Sequence, residues 1–152
     1  MTARTFSIAA GRLIAAWLPA ALWMGLIFSL SAQERPPGAS QPAAVNVFGH
    51  FAEFAFLTAL MTWGQLFSGL RKKRVPIALT LALLGAVLYA ASDEYHQGFV
   101  AGRDASLSDF AIDALGAAAA ALLIWLWARG LLPRRARYRR TIPPVRRQGG
   151  AP

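Results

Sequence analysis

The chain contains no cysteine and is poor in acidic residues and histidine. Its 152 residues include seven Asp and Glu and two His. Without cysteine, a disulfide framework and thiol chemistry are both excluded. Charged residues make up 15% of the chain, against ~25% in soluble domains, whereas 56% of the residues are hydrophobic. The composition therefore disfavours a soluble domain.

Four apolar stretches are long enough to cross a bilayer, which takes ~20 helical residues. They cover residues 13–32, 47–70, 75–97 and 108–128. The sequence thus predicts an all-α membrane protein, a bundle of four transmembrane helices that forms one domain over residues 1–132. The basic tail of residues 133–152 is expected to be disordered, because it is rich in Arg, Pro and Gly.

The basic residues are distributed unequally between the predicted connections. Fourteen of the 16 Lys and Arg residues lie in the N-terminus, the second connection and the tail, whereas the first and third connections hold one each, Arg35 and Arg103. Because positive residues mark the cytoplasmic side, both termini are predicted to be cytoplasmic. The Arg-rich tail then faces anionic lipid headgroups, so we expect no nucleic-acid partner.

The N-terminus also allows a second interpretation. Arg4 and Arg12 before an apolar run resemble a signal peptide, with a cleavage site near Ser29 to Ser31. The run is longer than the 7–15 residues of a usual signal core, which favours a retained transmembrane helix.

Polar residues lie on shared faces of three predicted helices, close to the external side. Spacings of three and four residues bring side chains together on a helix. The groups are His50 with Glu53, Asp93 with His96 and Gln97, and Asp109 with Asp113. Ionised groups at this depth are costly unless they face protein, water or an ion. We therefore expect an outward-facing polar pocket between the second, third and fourth helices, completed by Glu94 and by Arg103 of the third connection.

Several of these residues also have a purely structural interpretation. Ser106 and Asp109 fit a capping box, in which Asp109 would serve only the start of the fourth helix. Asp93 or Asp113 would pair with Arg103 as a structural lock. His50 would be a hydrogen-bonded interior histidine. A run of small residues after Gly116 further suggests that the fourth helix packs at the centre of the bundle.

Two sequence blocks carry a resemblance to a known family. The first block runs HFAEFAFLTAL from His50 to Leu60, and the second runs from Asp93 to Gly116 with the pattern Asp-Glu-x-His-Gln, Gly-Arg, Asp and Asp-x-x-Gly. Both are similar to segments of the VanZ-like family of small bacterial membrane proteins. The chain departs from the family at Val47, where Lys is frequent, and at Ala101, where Pro is common.

The resemblance implies a multi-pass protein of the bacterial cytoplasmic (inner) membrane with about four helices. The founding member of the family is associated with resistance to the glycopeptide teicoplanin, so a role in antibiotic resistance is one implied possibility. The resemblance supplies no biochemical mechanism.

Three classes of function remain open. We favour a non-enzymatic envelope protein that binds or acts on a lipid headgroup, a cell-wall lipid precursor or a glycopeptide, with Arg103 as the anion anchor. A metal-dependent hydrolase of a lipid phosphoester is the second class, with Glu94 as the base. Its divalent metal would take ligands from His50, Glu53, Asp93, His96 and Asp113. A small transporter or proton pathway is the third.

Overall fold

The chain folds into four α-helices. A computed structural model describes residues 3–34, 42–68 and 75–131. The helices are α1 (Ala3–Ser31), α2 (Ala43–Ser68), α3 (Val75–Gln97) and α4 (Leu107–Ala128). Within these three described ranges there is no β-strand, and the predicted all-helical bundle is confirmed. Arg35, the basic connection 71–74 and the predicted tail 133–152 lie outside the described residues.

All four helices are long and apolar enough to cross a membrane. The candidate span in α1 begins at Ala10, and the other three spans cover their whole helices. Large apolar side chains such as Leu22, Leu88 and Leu115 are mostly exposed on the outside of the bundle. Such an exterior suits lipid, because helices satisfy their own backbone hydrogen bonds and leave apolar side chains facing outward.

The second helix begins four residues before its predicted start. The carbonyl of Pro42 accepts hydrogen bonds from the N–H groups of Val45 and Asn46, at 2.9 and 3.2 Å. The first helical turn is therefore closed from Pro42, whereas the sequence prediction placed the start at Val47.

The central helix is α2, which contacts α1, α3 and α4, with its most extensive contact on α4. The sequence had suggested α4 for this position. The small residues of α4 allow it to approach α2 closely, because a Cβ added at Gly116 would overlap the backbone of Phe51. The two helices therefore meet next to the polar residues that each contributes to the site.

Side chains also join the helices through hydrogen bonds to main-chain carbonyls. These bonds run from Trp23 Nε1 to Glu53 (3.0 Å), from Tyr89 Oη to Met24 (2.6 Å) and from Gln65 Nε2 to Ala78 (3.2 Å). They connect α1 to α2, α3 to α1 and α2 to α3. A hydrogen bond of this kind orients two helices where lipid supplies no competing partner.

Candidate functional site

The polar side chains gather at one end of the bundle, where α1 and α3 end and α2 and α4 begin. A cavity of about 250 Å³ lies there. Its lining includes Ser31, Gln33, Asn46, His50, Glu53, Asp93, Gln97 and Arg103. The cavity is formed by α1, α2, α3 and the connection to α4. The sequence prediction had α4 in place of α1.

Asp93 is buried beside this cavity and is fully hydrogen-bonded. Ser31 Oγ donates to Oδ1 at 2.6 Å, and Gln97 Nε2 donates to Oδ2 at 2.8 Å. Ser31 was not among the sequence candidates. The available signal was positional, because Ser31 ends the first apolar span on the side of the membrane that holds Asp93.

Arg103 reaches back from the third connection to the end of α1. A turn closed by its N–H on the Val100 carbonyl at 3.1 Å, with Gly102 at a φ of 73°, directs the chain there. The guanidinium donates to the carbonyls of Gln33 (3.1 Å) and Leu30 (2.8 Å) and to Gln97 Oε1 (3.3 Å). A cation is favourable at the C-terminal carbonyls of a helix. These three bonds go to neutral oxygens, and the carboxylate or bound anion that the sequence suggested for Arg103 stays a prediction.

His50 connects the cavity to a second group of acids. Its Nδ1 lies 3.0 Å from Oδ1 of Asp113, and its Nε2 lies 4.0 Å from Oδ2 of Asp109. Asp113 is 0% exposed. The close approach of α2 to α4 at Gly116 brings the imidazole to both aspartates.

Glu94 binds the start of α4. Its Oε2 accepts the Ser106 N–H at 2.7 Å, while Ser106 Oγ accepts the Asp109 N–H at 3.3 Å. Ser106 is therefore the N-cap, as the capping-box interpretation required. The N–H of the cap residue is bound by Glu94 of α3, whereas in a complete capping box Asp109 would bind it. The carboxylate of Asp109 lies next to His50.

Two buried carboxylate oxygens have no hydrogen-bond partner within the described part of the chain, Glu94 Oε1 and Asp113 Oδ2. Ligand atoms of His50, Glu94 and Asp113 lie within 4.8 Å of one another, which makes this trio a group that could hold a metal ion. We call it the His–Glu–Asp trio.

The remaining metal candidates from the sequence are placed differently. Both oxygens of Asp93 already accept hydrogen bonds, and Glu53 lines the cavity. The ring of His96 stacks on Phe28 of α1 at a centroid distance of 4.5 Å. Of the five predicted ligands, the trio thus includes His50 and Asp113, joined by Glu94, which the sequence had suggested as a base.

A second cavity lies against α3 and the start of α4. It has a volume of about 350 Å³ and is lined by Ala91, Glu94, Tyr95, Ala105, Ser106, Leu107 and Phe110. Most of these side chains are apolar, and Glu94 is the one carboxylate among the residues that line this cavity. The trio therefore lies between a polar cavity, which His50 lines, and an apolar one, which Glu94 lines.

Comparison with known proteins identifies the family. The model of the VanZ/LLP1 family matches residues 14–128. The chain belongs to the VanZ/LLP1 family. The match spans all nine candidate site residues, and with the four apolar helices it makes the chain a multi-pass membrane protein. Neither the curated proteins nor the solved structures that were compared show a significant match to this VanZ/LLP1 chain.

Proposed function

We propose that this VanZ/LLP1 protein binds the polar headgroup of a membrane lipid, or of a lipid-linked cell-envelope precursor, at the outer face of the bacterial cytoplasmic membrane. The observation that carries the proposal is the cavity of about 250 Å³ with acidic and basic side chains in its lining, at the ends of membrane-spanning helices. Ionisable groups at that depth are costly and usually serve a function.

The charges of the cavity favour a headgroup that itself carries both signs. Asp93 is bound by Ser31 and Gln97, whereas Glu53 lines the same cavity as a second acidic residue. Arg103 contributes the opposite charge at the same cavity. A zwitterionic headgroup would place its ammonium group at Glu53 and its phosphate towards the guanidinium.

The volume of the cavity favours a headgroup over a whole glycopeptide. A cavity of about 250 Å³ is slightly smaller than the ~300–1,000 Å³ of drug-sized sites, and a glycopeptide antibiotic is larger than a typical drug. The acyl or prenyl chains would remain in the surrounding bilayer, against the apolar outer faces of the helices.

Lipid-dependent stabilisation of the purified protein tests this function. Phosphatidylethanolamine added in detergent should raise the midpoint of thermal unfolding of the wild type, and phosphatidylglycerol, which lacks the ammonium group, should raise it less. Glu53→Gln should lose the difference between the two lipids. Asp104→Asn, which neutralises an exposed acid of the nearby connection, is the matched control and should keep it. An equal response of wild type and Glu53→Gln would refute the proposed site.

A separate arm of the same experiment distinguishes the two sources of the headgroup. A prenyl-pyrophosphate-linked muropeptide, of which only the part next to the pyrophosphate would enter the cavity, should stabilise the protein more than phosphatidylethanolamine if the ligand is an envelope precursor. The opposite order identifies an ordinary membrane lipid.

The orientation is tested by cysteine labelling, for which the absence of native cysteine provides a clean background. Ala101 is exposed in the connection between α3 and α4. Ala101→Cys should react with a membrane-impermeant maleimide in intact cells, and Gln148→Cys should react only after lysis. Labelling of Gln148→Cys alone in intact cells would reverse the orientation.

A further inference from the structure

The His–Glu–Asp trio forms a compact group of buried ligand atoms between the two cavities. We propose that His50, Glu94 and Asp113 bind a divalent transition-metal cation such as Zn²⁺ or Mn²⁺. This inference does not depend on the proposed headgroup binding, because metal binding is measured without lipid.

The first argument is the unused bonding capacity of the two carboxylates. Glu94 is 7% exposed and Asp113 is 0% exposed, yet Oε1 of the first and Oδ2 of the second have no hydrogen-bond partner among the described residues. Buried carboxylate oxygens are normally paired with a donor or a metal. Glu94 is held in place by the Ser106 N–H on its other oxygen, so its unpartnered oxygen is positioned by the start of α4.

The second argument is the balance of charge. Three carboxylates, those of Glu94, Asp109 and Asp113, lie around a single imidazole. In the described part of the chain the ion pairs of Asp109 and Asp113 are both with His50. Even a protonated histidine leaves excess negative charge at a depth where bare charge is costly, and a divalent cation would neutralise it.

The third argument is the orientation of His50. Its Nδ1 lies 3.0 Å from Oδ1 of Asp113, a hydrogen-bond distance at which a cation could replace the shared proton and take both atoms as ligands. Its Nε2 lies 4.0 Å from Oδ2 of Asp109. A shift of about 1 Å would let that carboxylate accept the Nε2–H and leave Nδ1 to coordinate. A carboxylate behind a coordinating histidine is the usual way in which proteins orient that ligand.

The geometry and chemistry of the trio select the class of metal. Its ligand atoms lie within 4.8 Å of one another. Bonds of ~2.1 Å bring tetrahedral ligands to about 3.4 Å, so small side-chain rotations would close the site. One nitrogen and carboxylate oxygens suit zinc or manganese, whereas magnesium and calcium prefer oxygen alone. A set of three protein ligands leaves a position for water or a ligand oxygen.

Calorimetric titration of the full chain in detergent tests the site. The protein should carry an affinity tag without histidine and be stripped with a chelator, and Zn²⁺, Mn²⁺, Mg²⁺ and Ca²⁺ should be added separately. We expect Zn²⁺ or Mn²⁺ to bind the wild type at one ion per chain. Asp113→Asn and Glu94→Gln, which keep the shape of each side chain, should each weaken binding by about tenfold or more.

His50 provides a further test variant, and His96 and the exposed Asp104 provide matched controls. His50→Gln should lose binding like the carboxylate variants, whereas His96→Gln and Asp104→Asn should bind as the wild type does. Size-exclusion profiles and helical circular dichroism identify any variant that fails to fold. If one of the two carboxylate variants does not fold, the other still tests the site. Absence of one-to-one binding by the wild type would overturn the proposal, and so would binding as tight as that of the wild type in both Asp113→Asn and Glu94→Gln. The trio would then be carboxylates that share a proton.

Discussion

Asp93 and Asp113 are two buried aspartates at the same end of the bundle, yet their surroundings differ. Asp93 is 4% exposed and accepts a hydrogen bond on each oxygen, from Ser31 and Gln97. Asp113 is 0% exposed and has His50 at one oxygen and no partner in the described residues at the other. The difference separates a carboxylate that connects helices from one that retains capacity for a ligand.

Each aspartate also belongs to a different pair of helices. Asp93 joins α3 to α1, and these two helices otherwise make few contacts with each other. Asp113 lies where α2 and α4 make the most extensive contact of the bundle. The hydrogen bonds of Asp93 therefore hold together two helices that pack weakly. Near Asp113, packing already holds α2 and α4 together, so its polar groups are available for function.

The largest expected effect comes from breaking the packing that supports the Asp113 side. Gly116→Ala would place a methyl group on the backbone of Phe51, which cannot move away without separating α2 from α4. Overpacking of this kind should cost ~3 kcal/mol or more and lower the thermal midpoint strongly. Gly25→Ala is the control, because a Cβ at Gly25 meets no other atom within 4 Å. Similar midpoints for the two variants would contradict the close helix approach.

The next effect compares the two aspartates directly. In chelator-treated protein, Asp93→Asn should lose ~2 kcal/mol, because both hydrogen bonds to a charged carboxylate are lost and the Ser31 hydroxyl must turn from donor to acceptor to keep its contact. Asp113→Asn should be neutral or stabilising, since its oxygen can still accept from His50 while a buried charge is removed. Thermal unfolding measures both. A loss for Asp113→Asn as large as that for Asp93→Asn would remove the distinction.

The fold was predictable from the sequence because hydropathy and helix length report the surrounding solvent. An apolar stretch of ~20 residues in lipid must satisfy its backbone hydrogen bonds internally, which it does as a helix. The four apolar stretches of the sequence are therefore found as four helices. Helix spacing likewise predicted which face carries His50 and which carries Asp113, and the structure brings these two together. The spacing of three and four residues shows which side chains share one face of a helix. Polar faces of different helices then turn towards each other, because an ionised group that faces lipid is costly.

The distribution of partners was not predictable, because it depends on how the helices are arranged around each other. Ser31 and the carbonyl groups at the end of α1 look unremarkable in the sequence, yet they bind Asp93 and Arg103. The N–H of Ser106 similarly binds Glu94, where a local motif predicted Asp109. Main-chain donors and acceptors have no sequence signature, so a side chain that binds them cannot be assigned from its residue type.

A smaller effect isolates one bond of the Asp93 side. Ser31→Ala removes the 2.6 Å bond to Asp93 and should cost ~1.5 kcal/mol, the lower end for a hydrogen bond to a charged group. Ser29→Ala is the matched control two residues away, because Ser29 Oγ is bonded to the Gly25 carbonyl within its own helix at an exposed position. Thermal unfolding of the two variants should differ clearly, and equal midpoints would show that Ser31 does not secure α1.

The smallest expected effect concerns geometry at constant charge. Arg103→Lys keeps the positive charge but loses the planar group that donates to Leu30, Gln33 and Gln97 at once, which should cost ~1 kcal/mol. Arg12→Lys at the opposite end of the bundle is the control. Among the described residues Arg12 donates one hydrogen bond, to the Phe67 carbonyl at 3.1 Å, and its charge lies over the Phe67 ring, a contact that lysine can keep, so this variant should lose less.

Lipid added to the same two variants separates the structural role of Arg103 from anion binding. If Arg103 only connects α1 to Gln97, Arg103→Lys should unfold at a lower temperature but gain as much from phosphatidylethanolamine as the wild type. If its guanidinium also contacts the headgroup phosphate, the gain should fall as well, because an ammonium group cannot make two parallel bonds to a phosphate. Our proposal requires the second result, with Arg12→Lys unchanged in its response. An undiminished lipid gain in Arg103→Lys would assign Arg103 to the structural side of the comparison with Ser31 and Asp93.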